Sequence, residues 1–285
     1  MKLFKSLQPF LTFLIVFVLL FMSACSMRIM YNYLDWIIPY YMDDYLSLTD
    51  EQEEFFDHAT IQFLNWHRTN ELSRYENFIV GLKESQAVPM SQQQVLQFFD
   101  NAEAFWTSLL RESMPYLLGL STQLSEKQLK EINGALREDI KELETKYGKQ
   151  SDIQRREFLR EKMYEVVDDW LGSVTDQQAA IIRLWSETRK NTTNGWLNYR
   201  NDWRKEFIAL LNRRHSANFK DDMSNFLLNP QKIYKHTYRL AVSENRRHLA
   251  QVIADLSTTF IPQQRRHLQH ELDKIIRDLK ELRNQ

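Results

Sequence analysis

The chain has 285 residues, enough for a substantial core in one large domain or two small ones, and 43% of it is hydrophobic and 13% aromatic. Its single cysteine, Cys25, excludes an internal disulfide, a cysteine-ligated metal cluster and thiol redox chemistry elsewhere in the chain. The formal net charge of −1 hides an asymmetry, because residues 181–285 carry 20 Lys/Arg against 11 Asp/Glu and the preceding part 17 against 27; either the two parts pack on one another or are simply solvated, or the basic part faces an anionic lipid or polymer.

The N-terminus reads as an export signal. Lys2 and Lys5 supply positive charge, an apolar run from Phe10 to Met22 follows with only Thr12 interrupting, and the small residues Ser23 and Ala24 lead to Cys25. The run is shorter than the roughly 20 apolar residues of a comfortable membrane span. Met22-Ser23-Ala24-Cys25 resembles the lipobox of bacterial lipoproteins, with Met where Leu is usual. That resemblance implies cleavage before Cys25, a diacylglyceryl group on its thiol and usually acylation of the new amine. Two or more chains hold a protein firmly to a bilayer, whereas one binds only marginally. By resemblance to enterobacterial lipoproteins, Ser26 in place of Asp implies the outer membrane. The alternative is an uncleaved anchor helix beside an ordinary buried cysteine. The expected organisation is a signal peptide over 1–24, a lipidated cysteine with an aromatic lead-in over 25–46, and an all-helical periplasmic domain over 47–285. Export makes nucleic acid an unsuitable partner, and no cofactor beyond the covalent lipid is expected.

After the lead-in, Tyr31 to Tyr45, apolar residues return at helical spacing. Phe55, Phe56, Ala59, Phe63 and Trp66 begin the series, and Phe78, Ile79 and Leu82 continue it. Val95 to Leu110, Leu129 to Leu143, Ile181 to Leu210 and Leu268 to Leu282 repeat it, with charges between the apolar positions as on helices at a surface. Only 6 Gly and 6 Pro are present, fewer than a strand-and-turn protein needs. Breaks are predicted at Val88-Pro89, Met114-Pro115 to Gly119, Tyr147-Gly148, Leu171-Gly172, Asn229-Pro230 and Ile261-Pro262. These define an all-α fold, a single multi-helix bundle of about eight helices.

One start signal recurs. Leu48-Thr49-Asp50-Glu51-Gln52, Met90-Ser91-Gln92-Gln93-Gln94, Leu124-Ser125-Glu126-Lys127-Gln128 and Val174-Thr175-Asp176-Gln177-Gln178 share an apolar residue, Ser/Thr, two residues and Gln. Ile261-Pro262-Gln263-Gln264 keeps the Gln pair without the hydroxyl. Ser/Thr-x-x-Gln is a capping box, in which the hydroxyl accepts from the N3 amide and the Gln reaches back to the cap amide, for about 1 kcal/mol each. Leu-Thr-x-x-Gln repeats also resemble those of the small helical periplasmic proteins Spy and CpxP, which act in envelope stress, and that resemblance implies a chaperone-like role. The cap positions lie 42, 34 and 50 residues apart, too irregular for a solenoid.

A second resemblance rests on Tyr31-Asn32, Asp35-Trp36, Asp43-Asp44-Tyr45, Leu48 to Gln52, Trp66-His67-Arg68, Glu71-Leu72, Arg74 and Tyr75. This order is similar to a family of proteobacterial lipoproteins of unknown function, which also has a late helix pair like Asn245-Arg246-Arg247-His248-Leu249 and Gln264-Arg265-Arg266. It implies fold and location and brings no catalytic residues; Ser73 departs from an expected Pro. His67 and Glu71 share one helix face. Arg68 would pair with Asp43 or Asp44 if the lead-in folds back, with Trp66 and Tyr75 alongside. Asp43, Asp44, Trp66, His67, Arg68, Glu71 and Tyr75 are therefore the candidate binding patch, or else a structural knot tying the lead-in to the first long helix.

No glycine-rich phosphate loop, nucleophile elbow or zinc-protease motif is present. His267, His270 and Glu271 offer two metal ligands without an evident third, so surface histidines are the alternative. Trp196, Tyr199 and Trp203, interleaved with Arg200 and Arg204, fit either sugar stacking or a helix core. The expected function is a noncatalytic binding or scaffold role for a membrane-anchored periplasmic lipoprotein, with a periplasmic protein or envelope polymer as partner. The alternatives are a chaperone-like stress protein and an enzyme acting on envelope polymers.

Overall fold

A computed structural model describes residues 24–86 and 88–285, the side chains of 24–27 excepted. Residues 1–23, which fall within the expected signal peptide over 1–24, and the Cys25 side chain lie outside what is described. Every element among the described residues is helical: α1 Ala24–Asn32, α2 Leu34–Met42, α3 Asp50–Trp66, a π turn His67–Glu71, α4 Leu72–Ser85, α5 Gln92–Gln123, α6 Glu126–Leu143, a π turn Glu144–Gly148, α7 Asp152–Leu171, α8 Asp176–Thr188, α9 Thr193–Leu211, α10 Phe219–Leu228, a 3₁₀ turn Pro230–Ile233, α11 His236–Thr258 and α12 Pro262–Arg283. Counting Asp50–Ser85 as one continuous rod, there are eleven helices among the described residues rather than about eight.

The count differs for local reasons. The lead-in is itself two helices. The break expected at Pro115 is absent, and α5 continues through it because Met114, Leu118 and Leu120 are buried on either side. Burial of that face overrides the lost backbone donor of proline. Two breaks without Pro or Gly at the junction were not foreseen. Between α8 and α9 the Asn245 side chain brackets Lys190, accepting from its N–H at 2.8 Å and donating to its carbonyl at 2.8 Å. Between α9 and α10, buried Arg214 reaches the Leu124 carbonyl at 2.9 Å and Glu126 at 2.8 Å, pinning the loop to the α5–α6 turn.

All four apolar-preceded Ser/Thr-x-x-Gln segments start helices with complete capping boxes, at Thr49, Ser91, Ser125 and Thr175. A fifth at Ser151 follows a polar residue, Gln150, and so lacks the apolar lead that marked the others. Four of the glutamines do more than cap. Gln52 and Gln128 face each other, with Gln52 Nε2 donating to Gln128 Oε1 at 3.3 Å and Gln128 Nε2 donating to Gln52 Oε1 at 2.5 Å. Their second amide hydrogens go to the Gln123 and Ser47 carbonyls at 3.0 and 2.8 Å. Gln178 and Gln264 repeat this, at 2.9 and 2.8 Å between them, with second bonds to Thr259 Oγ1 and the Ser173 carbonyl at 3.0 Å each. In every case the outside acceptor sits two residues before the partner helix's cap. Two pairs of helix N-termini, α3 with α6 and α8 with α12, are thereby clasped head to head.

The clasps mark two halves built on one plan. In the first, α3 lies along α5; in the second, α8 lies along α11. The closing helices are exchanged, so that α12 packs on α4 and α6 packs on α9, while α5 and α11 meet in the middle. One core therefore takes Leu72, Ile79, Val95 and Phe99 from the first half and Ile182, Trp185, Leu256 and Leu272 from the second. The other combines Met114, Leu118, Leu129 and Ile132 with Leu210, Leu211, Phe219 and Met223. The charge asymmetry is spent the same way: Arg246 with Asp100 at 2.6 Å, Arg283 with Glu76 at 2.8 Å, Lys280 with Glu76 at 3.6 Å and Arg214 with Glu126 at 2.8 Å join the basic part to the acidic one.

The Trp196, Tyr199 and Trp203 stripe belongs to the interior. Trp196 is 2% and Tyr199 7% exposed, packed with Tyr238 in a third cluster. Gly195 makes this approach possible, since a Cβ there would lie 2.6 Å from Tyr238 Cδ2 and 3.1 Å from its Cβ. Tyr238 is held between Tyr199 and Tyr234 and has nowhere to go. Gly195→Val is expected to cost about 2 kcal/mol by overpacking, measured as a lowered urea midpoint. Equal midpoints would show that α9 and α11 separate without cost.

Candidate functional site

The residues around the first π turn come together, but not as an open patch. The π turn places the Leu72 N–H on the His67 carbonyl. Carbonyls loosened by the wide turn are taken up by side chains: Thr69 Oγ1 donates to the Asn65 carbonyl at 3.0 Å and Asn70 Nδ2 to that of Trp66 at 3.0 Å. The widened turn points His67 inward, among Tyr31, Phe63 and Tyr75, with ring centroids 5.6, 6.3 and 5.5 Å away. Tyr31 Oη and His67 Nδ1 are 2.9 Å apart, which ties the lead-in to the rod. Burial holds the imidazole neutral, with its pKa lowered to about 4. Burial likewise raises the Tyr75 phenol, with the Glu71 charge adding to it.

Glu71 is 1% exposed. Its Oε1 accepts from Arg74 at 2.5 Å and from Ser108 Oγ at 2.9 Å, fastening the turn to α5. Its Oε2 is buried without a partner among the described residues. Arg68 does not pair with Asp43 or Asp44; its guanidinium lies 5.5 Å over the Tyr31 ring, and both aspartates are exposed. The lead-in does fold back, and Arg68 meets it through an aromatic contact on Tyr31 and not through an ion pair. Trp66 stands 5.8 Å from Phe63 on the flank of the cluster. The described side chains thus contact one another around the π turn, through ring contacts at His67 and hydrogen bonds at Glu71.

Open space lies elsewhere, where no sequence motif pointed. A cleft of about 300 Å³ runs between α7 and the α4–α5 hairpin. Phe78 and Leu82 of α4 and Phe98 and Phe99 of α5 form one wall, and Met163, Val166 and Trp170 of α7 form the other. Trp185, Leu249 and Leu268 close the floor. Helix α7 rests mainly on α8 and α12 and leaves the hairpin uncovered, which is why the gap exists. The polar lining is confined to Gln86, whose amide donates to the Leu82 carbonyl at 3.3 Å and the Met90 sulfur at 3.5 Å, and Lys162, which pairs with Glu165. A hollow beside α9 and α10 has a similar volume, about 280 Å³, but is lined by Glu206, Arg213, Asp222, Asn225 and Lys232.

The scattered histidines do not converge. His267 lies 4.0 Å from Glu271 and 3.2 Å from the Asp169 carbonyl, and His248 lies 3.4 Å from Thr188. Among the described residues no three His, Cys, Asp or Glu side chains gather as a metal site, and no helix is long and apolar enough to cross a membrane.

These features define an all-α bundle of two interlocked halves with an apolar cleft at one core. The chain belongs to a family of unknown function, DUF6279, whose model matches residues 44–239. The match spans the π turn at His67–Glu71, α7 and both clasp partners in the first half, and leaves Tyr31 to Asp43 and Asn245 to Arg266 outside it. No curated protein and no solved structure matches the chain.

Proposed function

We propose that this chain is a proteobacterial envelope lipoprotein, anchored through lipid on Cys25 to the periplasmic face of the outer membrane, that holds the hydrocarbon chain of a lipid-like ligand in the α4–α5/α7 cleft without catalysis. The observation that carries the ligand is the cleft itself. Its volume falls at the lower end of the range for ligand pockets, about 300–1,000 Å³, and its walls are aromatic, aliphatic and thioether groups with one cation at the rim. Water in such a slot leaves apolar walls solvated at about 25 cal/mol per Å², so a flexible hydrocarbon is the favoured occupant. Met163 and Met90, unbranched and polarisable, suit a ligand of variable shape. The Ser/Thr-x-x-Gln glutamines support no separate chaperone surface in this reading, because Gln52, Gln128 and Gln178 are buried in the clasps.

The anchor rests on the Met22-Ser23-Ala24-Cys25 segment and its apolar lead. The cleft is tested by titrating the mature chain with a fluorescent fatty acid. Saturable binding is expected, and Met163→Trp, which fills the slot from its half-buried rim, is expected to weaken it at least about tenfold, the equivalent of ~1.4 kcal/mol, with unfolding unchanged. Undiminished binding to the Met163→Trp protein, or no saturable binding to the parent, rules the cleft out.

A further inference from the structure

Helices α1 and α2 are amphipathic in an unusual sense. Their inner side is fastened to the domain: Arg28 pairs with Asp278 at 3.3 Å and with Glu281, Tyr31 with His67, and Met42 packs on the second core. Their outer side carries Ile29, Tyr33, Trp36 and Tyr40, 61%, 58%, 65% and 49% exposed. Trp36 and Tyr40, four apart, share one face of α2, while Ile29 precedes them on α1 and Tyr33 stands at the junction of the two helices, so the exposed side chains follow one another along the lead-in. Trp36 and Tyr40 stack at 5.5 Å, and Tyr41 meets Tyr40 edge-on at 5.7 Å. Elsewhere in the described chain, bulky aromatic side chains are mostly turned inward.

We infer that this run of exposed side chains is a membrane seat, lying in the headgroup layer of the bilayer that holds the lipid anchor. Two observations choose the occupant. The face begins four residues after Cys25, so a chain tethered there brings Ile29 to the bilayer surface before any other part of the domain. Its composition is that of an interfacial belt, in which Trp and Tyr keep their rings among the acyl ends and their polar edges in water. Arg28 is engaged on the inner side and Asp35, Asp43 and Asp44 are exposed nearby, so the attraction is apolar and needs no anionic lipid. The seat fixes how the domain stands on the membrane, because the inner side of the same helices is bonded to α3 and α12. This inference rests on the lipoprotein reading above for its anchor.

The test uses the full chain, extracted from the membrane in which it matures and reconstituted into phosphatidylcholine vesicles containing brominated lipid. Tryptophan emission of the parent and of Trp36→Phe is compared, so that the difference reports Trp36 alone. The expected result is a blue-shifted Trp36 component that is quenched by bromines near the headgroups, more than by bromines at the chain ends, and unchanged in high salt. A Trp36 component with the unquenched emission of an indole in water overturns the seat. Intact mass of the same sample reads the anchor separately: a chain starting at acylated Cys25 upholds the lipoprotein reading, and an unprocessed chain refutes it, whichever way the quenching falls.

Discussion

Gln264→Ala is expected to destabilise the domain by about 3–5 kcal/mol, far more than its role as a cap residue would cost. Gln264 is fully buried, and its amide accepts from the Ile261 N–H at 3.2 Å and from Gln178 Nε2 at 2.9 Å while donating to Gln178 Oε1 and the Ser173 carbonyl. Truncation strands several of these groups in an interior that water enters poorly, and each stranded group costs about 1–3 kcal/mol. Gln94→Ala is the control, because Gln94 likewise accepts from its own cap N–H as the third residue of a helix but is exposed. Its loss should cost about 1 kcal/mol or less. Chemical denaturation of both variants, with Gln178→Ala and the double variant to complete a cycle, gives the comparison. The two single clasp changes should sum to well more than the double change. Similar costs for Gln264→Ala and Gln94→Ala would remove the clasp from the account.

Acid should weaken the fold through His67 in a window set by its burial. The imidazole titrates near 6.5 in the unfolded chain and at about 4 in the folded one. Between those values the unfolded chain binds more protons, so stability falls as pH drops from about 6.5 and the loss is complete once pH passes below about 4. A shift of this size corresponds to at most about 3 kcal/mol. No charged side chain stacks on the ring; Tyr31, Phe63 and Tyr75 surround it, so the cause is desolvation alone. His67→Gln retains an acceptor for the Tyr31 hydroxyl and cannot ionise. The difference in unfolding free energy between parent and variant, followed from pH 7 to pH 4, should therefore shrink in the parent's disfavour by up to that amount. Parallel pH profiles would mean that His67 is open to solvent.

Much of the fold was legible because its signals are local. Ser/Thr-x-x-Gln before an apolar run marks a helix start by hydrogen bonds three residues apart, and each such segment starts one. The pairing of Gln52 with Gln128 and of Gln178 with Gln264 was not legible, since it joins residues 76 and 86 positions apart whose local sequence is satisfied without it. The same holds for Pro115, a local breaker overruled by burial, and for the α9–α10 break, made by a buried arginine from outside the α5–α6 turn it fills. Helical spacing places His67 and Glu71 on one face, but spacing does not say which way a group of polar and aromatic residues turns. The π turn sets His67 among Tyr31, Phe63 and Tyr75, and no periodicity announces a π turn. The cleft left no mark at all in the sequence, because a Phe or Met lining a slot has the same helical spacing as one packed solid.

Whether the slot holds a hydrocarbon chain in the cell is read by photocrosslinking with a diazirine-bearing fatty acid fed to cells, followed by peptide mass spectrometry of the recovered protein. Adducts are expected on Phe98, Met163 and Trp170, with their loss in Met163→Trp. Adducts confined to Ile29, Trp36 and Tyr40, with none in the cleft, would contradict that reading.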